Sequence, residues 1–341
     1  IYAVAGSIGI ILLMQINRSN TPGIVEALRL WVIGVFIGYF PVLVMVVSLE
    51  GFAPAYWDSI RYLFELKTTN LVLPVPWPWT VSFGGPLLDS VRGVLIGLYF
   101  IGILLLGVTG IIWLIRQRMK QRIVPPGLAG SILLILPYGH FAFSRADVNH
   151  LAQGVFPFLI ACFILIFRRP RLEAGLFGLV LMLSGALVML PVHPGWQCYV
   201  NENCDEVDIA GDVVSVNPYV ASNLEMLYTL KKDLEEQGEL FVAPLWPGAY
   251  AVLEQRSPVW EVYALFGRSE DFQKKEILRL QEANPGLVLI YDYALDGRDE
   301  LRYVNTHPLV MEYIFHNYDA SGANMLNPSY QLFVPKRIVE D

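Results

Sequence analysis

Charged side chains are scarce in this sequence of 341 residues. Asp, Glu, Lys and Arg together make up 16% of it, whereas 55% of the residues are hydrophobic and the mean hydropathy is positive at +0.47. An ordinary soluble domain carries about 25% charged residues, so this balance excludes that class of protein. The composition predicts a membrane protein.

The few charges are divided unevenly along the chain. Residues 1–192 carry 13 Lys and Arg against 7 Asp and Glu, whereas residues 193–341 carry 11 against 24. The last apolar run ends near His193, where polar residues take over. We therefore expect two domains, a transmembrane domain over 1–192 and a small extracytoplasmic α/β domain over 193–341. Because the second domain is acidic and the basic residues lie in short clusters, we expect no nucleic-acid partner.

Long apolar runs fill the first 192 residues. A bilayer core needs about 20 mostly apolar residues per helix. Six runs are candidates for spans, at 1–14, 30–49, 92–115, 127–143, 151–167 and 173–192. The chain opens inside the first run with no basic residue before it, so we expect a truncated span rather than a signal peptide, with further residues preceding Ile1.

The basic clusters at 116–122 and 168–171 indicate the orientation of these spans. Such clusters flank the cytoplasmic ends of membrane helices, so both loops are expected to face the cytoplasm. Alternating the spans from these two points places loop 50–91, the turn 144–150 and everything after 192 outside.

Loop 50–91 is too long for a simple connector. Residues 56–67 follow a rough helical period with many aromatics, which predicts an amphipathic helix lying in the membrane interface. Prolines at 74, 76 and 78 then predict an extended stretch, with Trp77 and Trp79 at headgroup depth. The loop is interpreted either as a membrane-surface anchor alone or as one wall of a site at that surface.

The second domain alternates strand and helix patterns. Residues 222–239 and 269–286 have helix start and stop signals, and 307–318 predicts a further helix. Apolar runs at 240–244, 287–293 and 330–336 predict strands, which implies a small open sheet with helices packed against it. The glycine-rich spacing of a nucleotide-binding loop is missing after the strand at 287–293.

Cysteine is also rare, with three residues in the chain. Cys162 lies within an apolar run and is interpreted as a small buried hydrophobe. Cys198 and Cys204 flank a five-residue polar turn on the predicted outer side, where a disulfide is expected. A metal pair and free thiols are the alternatives, but no neighbouring His or third Cys completes a zinc site, so no metal site is predicted.

The turn within GHFAFSRADVNHLAQ (139–153) concentrates charge between two apolar runs. It places Arg145, Asp147 and His150 within six positions. One hypothesis is structural: Arg145 and Asp147 form a local ion pair, and His150 packs or caps at the start of the next helix. The other is functional: Arg145 and His150 bind an anionic head group, and Asp147 orients one of them.

This turn carries a resemblance to a known family. Membrane glycosyltransferases of the GT-C superfamily, particularly the bacterial protein-mannosyltransferase-like branch, have an Arg-x-Asp-x-x-His turn between late spans, and SRADVNHL is similar. They often end in an extracytoplasmic α/β domain, which APLWPGAY, FQKKEILRLQEANPG and LVLIYDY resemble. The resemblance covers roughly residues 30–335.

The resemblance implies transfer of a sugar from a polyprenyl-phosphate carrier to a lipid, glycan or protein acceptor at the outer face of the bacterial cytoplasmic membrane. Arg145 and His150 would stabilise the leaving phosphate, and a carboxylate would act as base for the acceptor hydroxyl. The family's acidic base lies in its first external loop, which would precede Ile1. Asp58 is the candidate base in this chain because of its aromatic setting, whereas Glu50 and Asp89 are interpreted as solvated helix ends. No cofactor is firmly implied, and a divalent metal ion is left open.

Two other function classes compete with an enzyme. The chain is alternatively a non-catalytic structural subunit of a larger membrane assembly, with the bilayer and other membrane subunits as its partners. A transporter is disfavoured, because the spans show no internal repeat and few charges of the kind that coupling needs.

Overall fold

A computed structural model describes residues 2–16, 23–66, 70–200, 203–209, 211–321 and 330–336. Over residues 231–237 this description is limited to the backbone. The chain divides into two compact units, Ile1–His193 and Pro194–Asp341. The first unit is helical and the second is a small α/β unit, so each is described by itself.

The first unit consists of helices, most of them apolar. They are α1 (Tyr2–Gln15), α2 (Ile24–Ser48), α3 (Phe52–Leu66), α4 (Leu87–Met119), α5 (Pro126–Ser144), α6 (Val148–Gly154), α7 (Phe156–Ile166) and α8 (Arg171–Met189). Short 3-10 turns follow at Pro78–Thr80 and Leu190–Val192.

Four stretches of these helices are long and apolar enough to cross a membrane. They are Ile24–Ser48, Leu87–Met119, Pro126–Ser144 and Arg171–Val192, and α6 with α7 makes a fifth if that bent pair counts as one span. The helix α1 is apolar but shorter, at 14 residues. This arrangement is compatible with a multi-pass membrane protein.

The predicted span at 151–167 corresponds to a bent pair of helices rather than to one helix. Two helices, α6 and α7, meet there at a bend of 56°. Pro157 stands at the start of α7, and proline has no N–H to donate and a ring that crowds the preceding turn. The bend therefore has a local cause in the sequence.

Helices α4 and α5 form the core of the first unit. Phe100 and Ile103 of α4 are fully buried, as are Leu128, Ile132 and Ile135 of α5. The helix α1 packs on α5 at Gly6, where an added Cβ would lie 2.3 Å from Leu134 Cδ2. None of the residues of α2 is buried.

Residues 70–82, here called the strap, cross the end of the bundle where α4 begins and α5 ends. Asn70 Nδ2 donates to Ser144 Oγ at 2.7 Å, and Ser90 Oγ donates to Ser82 O at 3.1 Å. The strap lies so close to Gly97 of α4 that a Cβ there would be 2.5 Å from Pro76 O. The predicted amphipathic helix at 56–67 corresponds to α3, and the predicted extended stretch is found with one 3-10 turn at Pro78–Thr80.

The second unit contains two sheets. Its helices are α9 (Pro194–Tyr199), α10 (Pro218–Gln237), α11 (Gly248–Val252), α12 (Glu270–Ala283), α13 (Tyr303–Thr306) and α14 (Pro308–Asn317). Its strands are β1 (Asp205–Ile209), β2 (Asp212–Val216), β3 (Leu240–Ala243), β4 (Leu287–Tyr291), β5 (Tyr318–Ala320) and β6 (Tyr330–Pro335). Strands β1 and β2 form an antiparallel hairpin, and the larger sheet has the order β3-β4-β6-β5.

The larger sheet is covered by helices on both faces. Strands β3 and β4 are parallel, and β6 runs antiparallel to β4 and to β5. Leu240 and Val242 pack with α10 and α11 on one face, whereas Phe241 and Ala243 pack with α12 and α14 on the other. This alternation follows from the two-residue period of a strand.

Most of the predicted elements of the second unit are present. Ser269 caps α12, and Asn284 ends it in the left-handed region, as the sequence indicates. The helix α10 begins four residues before its predicted start, because Asn217 Oδ1 accepts the Tyr219 N–H at 2.9 Å. The predicted disulfide is confirmed, with the Cys198 and Cys204 sulfurs 2.09 Å apart.

Candidate functional site

The candidate site is the turn between α5 and α6. The helix α5 ends at Ser144, and Arg145 adopts extended dihedrals that direct the chain away from the helix. Asp147 is also extended and caps α6, because its Oδ1 accepts the backbone N–H of His150 at 2.9 Å. The cap explains why a helix starts at Val148 immediately after the turn.

Asp147 also holds the two other ionisable side chains of the turn. Arg145 Nε donates to Asp147 Oδ2 at 2.9 Å, and His150 Nδ1 lies 2.9 Å from Asp147 Oδ1. Burial opposes ionisation of Asp147, but the hydrogen bonds from the His150 N–H and ring and from Arg145 outweigh it and lower the pKa of that carboxyl. An ionised carboxylate accepts but cannot donate, so the hydrogen bond to Asp147 requires a proton on His150 Nδ1, and a ring with that proton alone has Nε2 as its acceptor.

The turn is joined to the strap and to α5. Arg145 Nη1 donates to Leu71 O in the strap at 3.1 Å. The His150 ring lies 5.1 Å from the ring of Phe141, one helical turn before the end of α5. The side chains of Arg145, Asp147 and His150 are 23%, 27% and 18% exposed, so a ligand can reach them.

The structure thus brings together three of the four predicted site residues. The ion pair and the packing of the structural hypothesis are both present, and Asp147 orients Arg145 and His150 together rather than one of them. Asp58 lies on the exposed side of α3, and within the described parts of the chain no hydrogen bond or ion pair joins it to this turn. Its role as a base stays a prediction.

Sequence reasoning did not identify Leu71 and Asn70 as neighbours of the turn. Leu71 lies 74 residues from Arg145 in the sequence, and Asn70 lies 74 residues from Ser144. The one local signal for this contact is a polar Asn before an apolar, proline-rich stretch, and that signal does not indicate that Ser144 is its partner. Among the residues that the structure describes, no three His, Cys, Asp or Glu side chains are grouped to hold a metal ion.

A second polar cluster, which the sequence did not suggest, lies in the α/β unit. Arg268 binds both oxygens of Glu261 at 2.8 Å, and His307 Nε2 lies 3.6 Å from Glu261 Oε2. The His307 ring stacks on Tyr303 with its centroid 4.7 Å away, beside a cavity of about 10 Å³. Such a cavity holds about one water molecule, so it has no room for a substrate.

Comparison with known proteins adds no relative, since no family model, curated protein or solved structure matches the chain. The functional argument therefore depends on the geometry of the turn and on the apolar helices that carry it.

Proposed function

We propose that the chain transfers a sugar from a polyprenyl-phosphate carrier to a lipid, glycan or protein acceptor. The reaction takes place at the outer face of the bacterial cytoplasmic membrane, with the α/β unit outside. One observation carries the proposal: Asp147 holds a guanidinium and an imidazole side by side, each at 2.9 Å, at the end of apolar helices. A phosphate leaving group needs a cation, and an acceptor hydroxyl needs a group that takes its proton.

The roles follow from the charges of the turn. The acceptor oxygen forms a bond to the anomeric carbon of the sugar while the bond from that carbon to the phosphate oxygen breaks. The electron pair leaves with the polyprenyl phosphate, whose growing negative charge Arg145 stabilises. The proton of the acceptor hydroxyl goes to His150 Nε2, which Asp147 leaves as the basic nitrogen by binding Nδ1.

Two features of the chain support the location. A carrier with an isoprenoid tail lies in the bilayer, so its phosphate reaches groups at the ends of membrane helices such as Arg145. Disulfides persist in oxidising compartments, and the Cys198–Cys204 bond therefore supports an extracytoplasmic position for the second unit.

The test is transfer from a synthetic polyprenyl-phosphate sugar by the purified chain in liposomes. We expect Arg145→Gln and His150→Gln to lose at least about a hundredfold in rate, the contribution of one such group. The exposed residues Arg168 and His316 provide matched controls as Arg168→Gln and His316→Gln, which should keep wild-type rates. Wild-type turnover in both site variants would remove the turn from the reaction.

The variant Asp58→Asn tests whether His150 or Asp58 is the base. If His150 takes the proton, Asp58→Asn retains full transfer, because its exposed carboxyl takes no part. If Asp58 is the base, the same variant loses transfer while binding of the polyprenyl phosphate is unchanged. The rate of Asp58→Asn therefore assigns the base directly.

A second candidate function is that of a non-catalytic subunit of a membrane assembly. It is favoured by α2, a mostly apolar helix of 25 residues, none of which is buried within the chain. A helix of this kind packs against lipid or against another subunit. Absence of transfer by the wild-type chain, together with co-purification of a membrane partner that α2 variants release, would support this alternative.

A further inference from the structure

An apolar groove runs between α1, α4 and α5 along the part of the bundle that leads to the last turn of α4. Its volume is about 310 Å³, within the range of small-ligand sites. The helix α1 contributes Ala5 and Leu12, and Ile16 follows directly after it; α4 contributes Ile111 and Ile115, and α5 contributes Leu133. A groove with this lining accepts a hydrocarbon chain.

Arg118 lies beside one end of the groove, in the last turn of α4. Residues 111, 115 and 118 share one face of α4, because positions three and four apart in a helix are neighbours. Arg118 Nε donates to Ile16 O at 2.6 Å, and its Nη2 donates to Met14 O at 3.2 Å. The guanidinium is therefore fixed against the last turn of α1, beside a residue that lines the groove.

Within the part of the chain that the structure describes, Arg118 has no acidic partner. Both contacts are to neutral carbonyls, and in the described ranges no Asp or Glu forms an ion pair with this side chain. Arg116, Lys120 and Arg122 add further positive charge nearby. A half-buried cation beside apolar surface is stabilised by a counter-ion, so the groove and the guanidinium together fit an amphiphile with an anionic head.

We infer that this groove binds an anionic phospholipid, with one acyl chain between α1, α4 and α5 and the headgroup phosphate on Arg118. A zwitterionic phospholipid fits the groove equally well but carries a cation that Arg118 repels. The site is separate from the turn at Arg145, since Arg118 lies at the last turn of α4 and the strap crosses the first turns of that helix.

Native mass spectrometry of the chain extracted from mixed vesicles tests the inference. The vesicles contain equal amounts of phosphatidylglycerol and phosphatidylcholine. We expect the wild type to retain one phosphatidylglycerol in preference to phosphatidylcholine. Arg118→Gln should reduce this preference by at least about fivefold, the contribution of one cation near an anionic lipid.

Two pairs of variants test the headgroup contact and the acyl-chain groove separately. Arg116→Gln removes the same charge from an exposed neighbour and should keep the preference. Ala5→Trp fills the groove without touching Arg118 and should release the lipid, whereas Ala3→Trp on an exposed part of the same helix should not.

Three results would overturn the inference. They are equal retention of both lipids by the wild type, loss of preference in Arg116→Gln to the same degree as in Arg118→Gln, and retained lipid in Ala5→Trp. Because Ala5→Trp leaves the contacts of Arg118 with α1 in place, its result does not depend on whether Arg118→Gln weakens the docking of α1.

Discussion

Asp147 uses two carboxylate oxygens to cap a helix, pair a guanidinium and orient an imidazole. Two substitutions separate these contributions. Asn caps a helix about as well as Asp, so Asp147→Asn should lose only the contribution of the charge to stability, whereas Asp147→Ala should lose about 1 kcal/mol more of the free energy of unfolding with the cap. Both variants lose the charge that orients Arg145 and His150, and both should lose sugar transfer. Thermal unfolding and the transfer assay measure the two effects, and an Asn variant with full transfer would contradict the assigned role.

Ionised Glu261 should make the stability of the α/β unit depend on pH. Burial opposes ionisation of this carboxyl, but the adjacent His307 and Arg268 outweigh it and lower its pKa. A lowered pKa in the folded state adds stability above the ordinary value of about 4.3, and that stability is lost as the pH falls through the lowered value. Thermal midpoints between pH 7 and pH 3 should therefore show wild type and Glu261→Gln converging as the pH falls. A constant difference over that range would mean that ionisation of Glu261 does not contribute.

At the scale of elements, the strap depends on one glycine of α4. A Cβ at Gly97 would lie 2.5 Å from Pro76 O and 2.6 Å from Pro78 N, and both atoms belong to the backbone. Gly97→Val should therefore displace the strap, lower the thermal midpoint and expose the strap to protease. Gly34→Val in α2 is the matched control, since nothing lies within 4 Å of its Cβ position. Equal midpoints for the two variants would show that the strap is not held at Gly97.

Elements with local signals were predictable, and those set by distant contacts were not. Hydropathy located the long apolar helices, and Ser269 and Asn284 marked the ends of α12. The hairpin β1–β2 was missed because its strands are short, acidic and largely exposed, which hides the apolar alternation of a strand. The earlier start of α10 was missed because Ser222 and Asn223 also form a cap signal, and the choice of Asn217 depends on packing.

The same distinction applies to the candidate site. The composition of the turn identified Arg145, Asp147 and His150 as a group, because all three lie within six positions. Their contact with the strap was not predictable, because Leu71 contributes a backbone carbonyl and any residue has one. Such contacts are fixed by the packing of α4 and α5 rather than by the identity of residue 71.

At the scale of the whole molecule, the proposed topology places the two ends of the bundle on opposite sides of the membrane. Lys120 belongs to the basic cluster after α4, and Lys274 is exposed on α12. In a Cys162→Ala background, a membrane-impermeant maleimide should label Lys274→Cys in intact cells and Lys120→Cys only after the membrane is permeabilised. Labelling of Lys120→Cys in intact cells would reverse the orientation and move the turn at Arg145 to the cytoplasmic side.

The contacts of the strap also constrain its length. It is fixed at Asn70, at Leu71 and again where Pro76 and Pro78 meet α4, so an extra residue between these points would shift one set of contacts past the other. Gly85, by contrast, has open space around its Cβ position, and Phe83 is 70% exposed. We therefore expect insertions and deletions to be tolerated at 83–85. The strap before it should keep its length, because its contacts with α4 and α5 fix both of its ends.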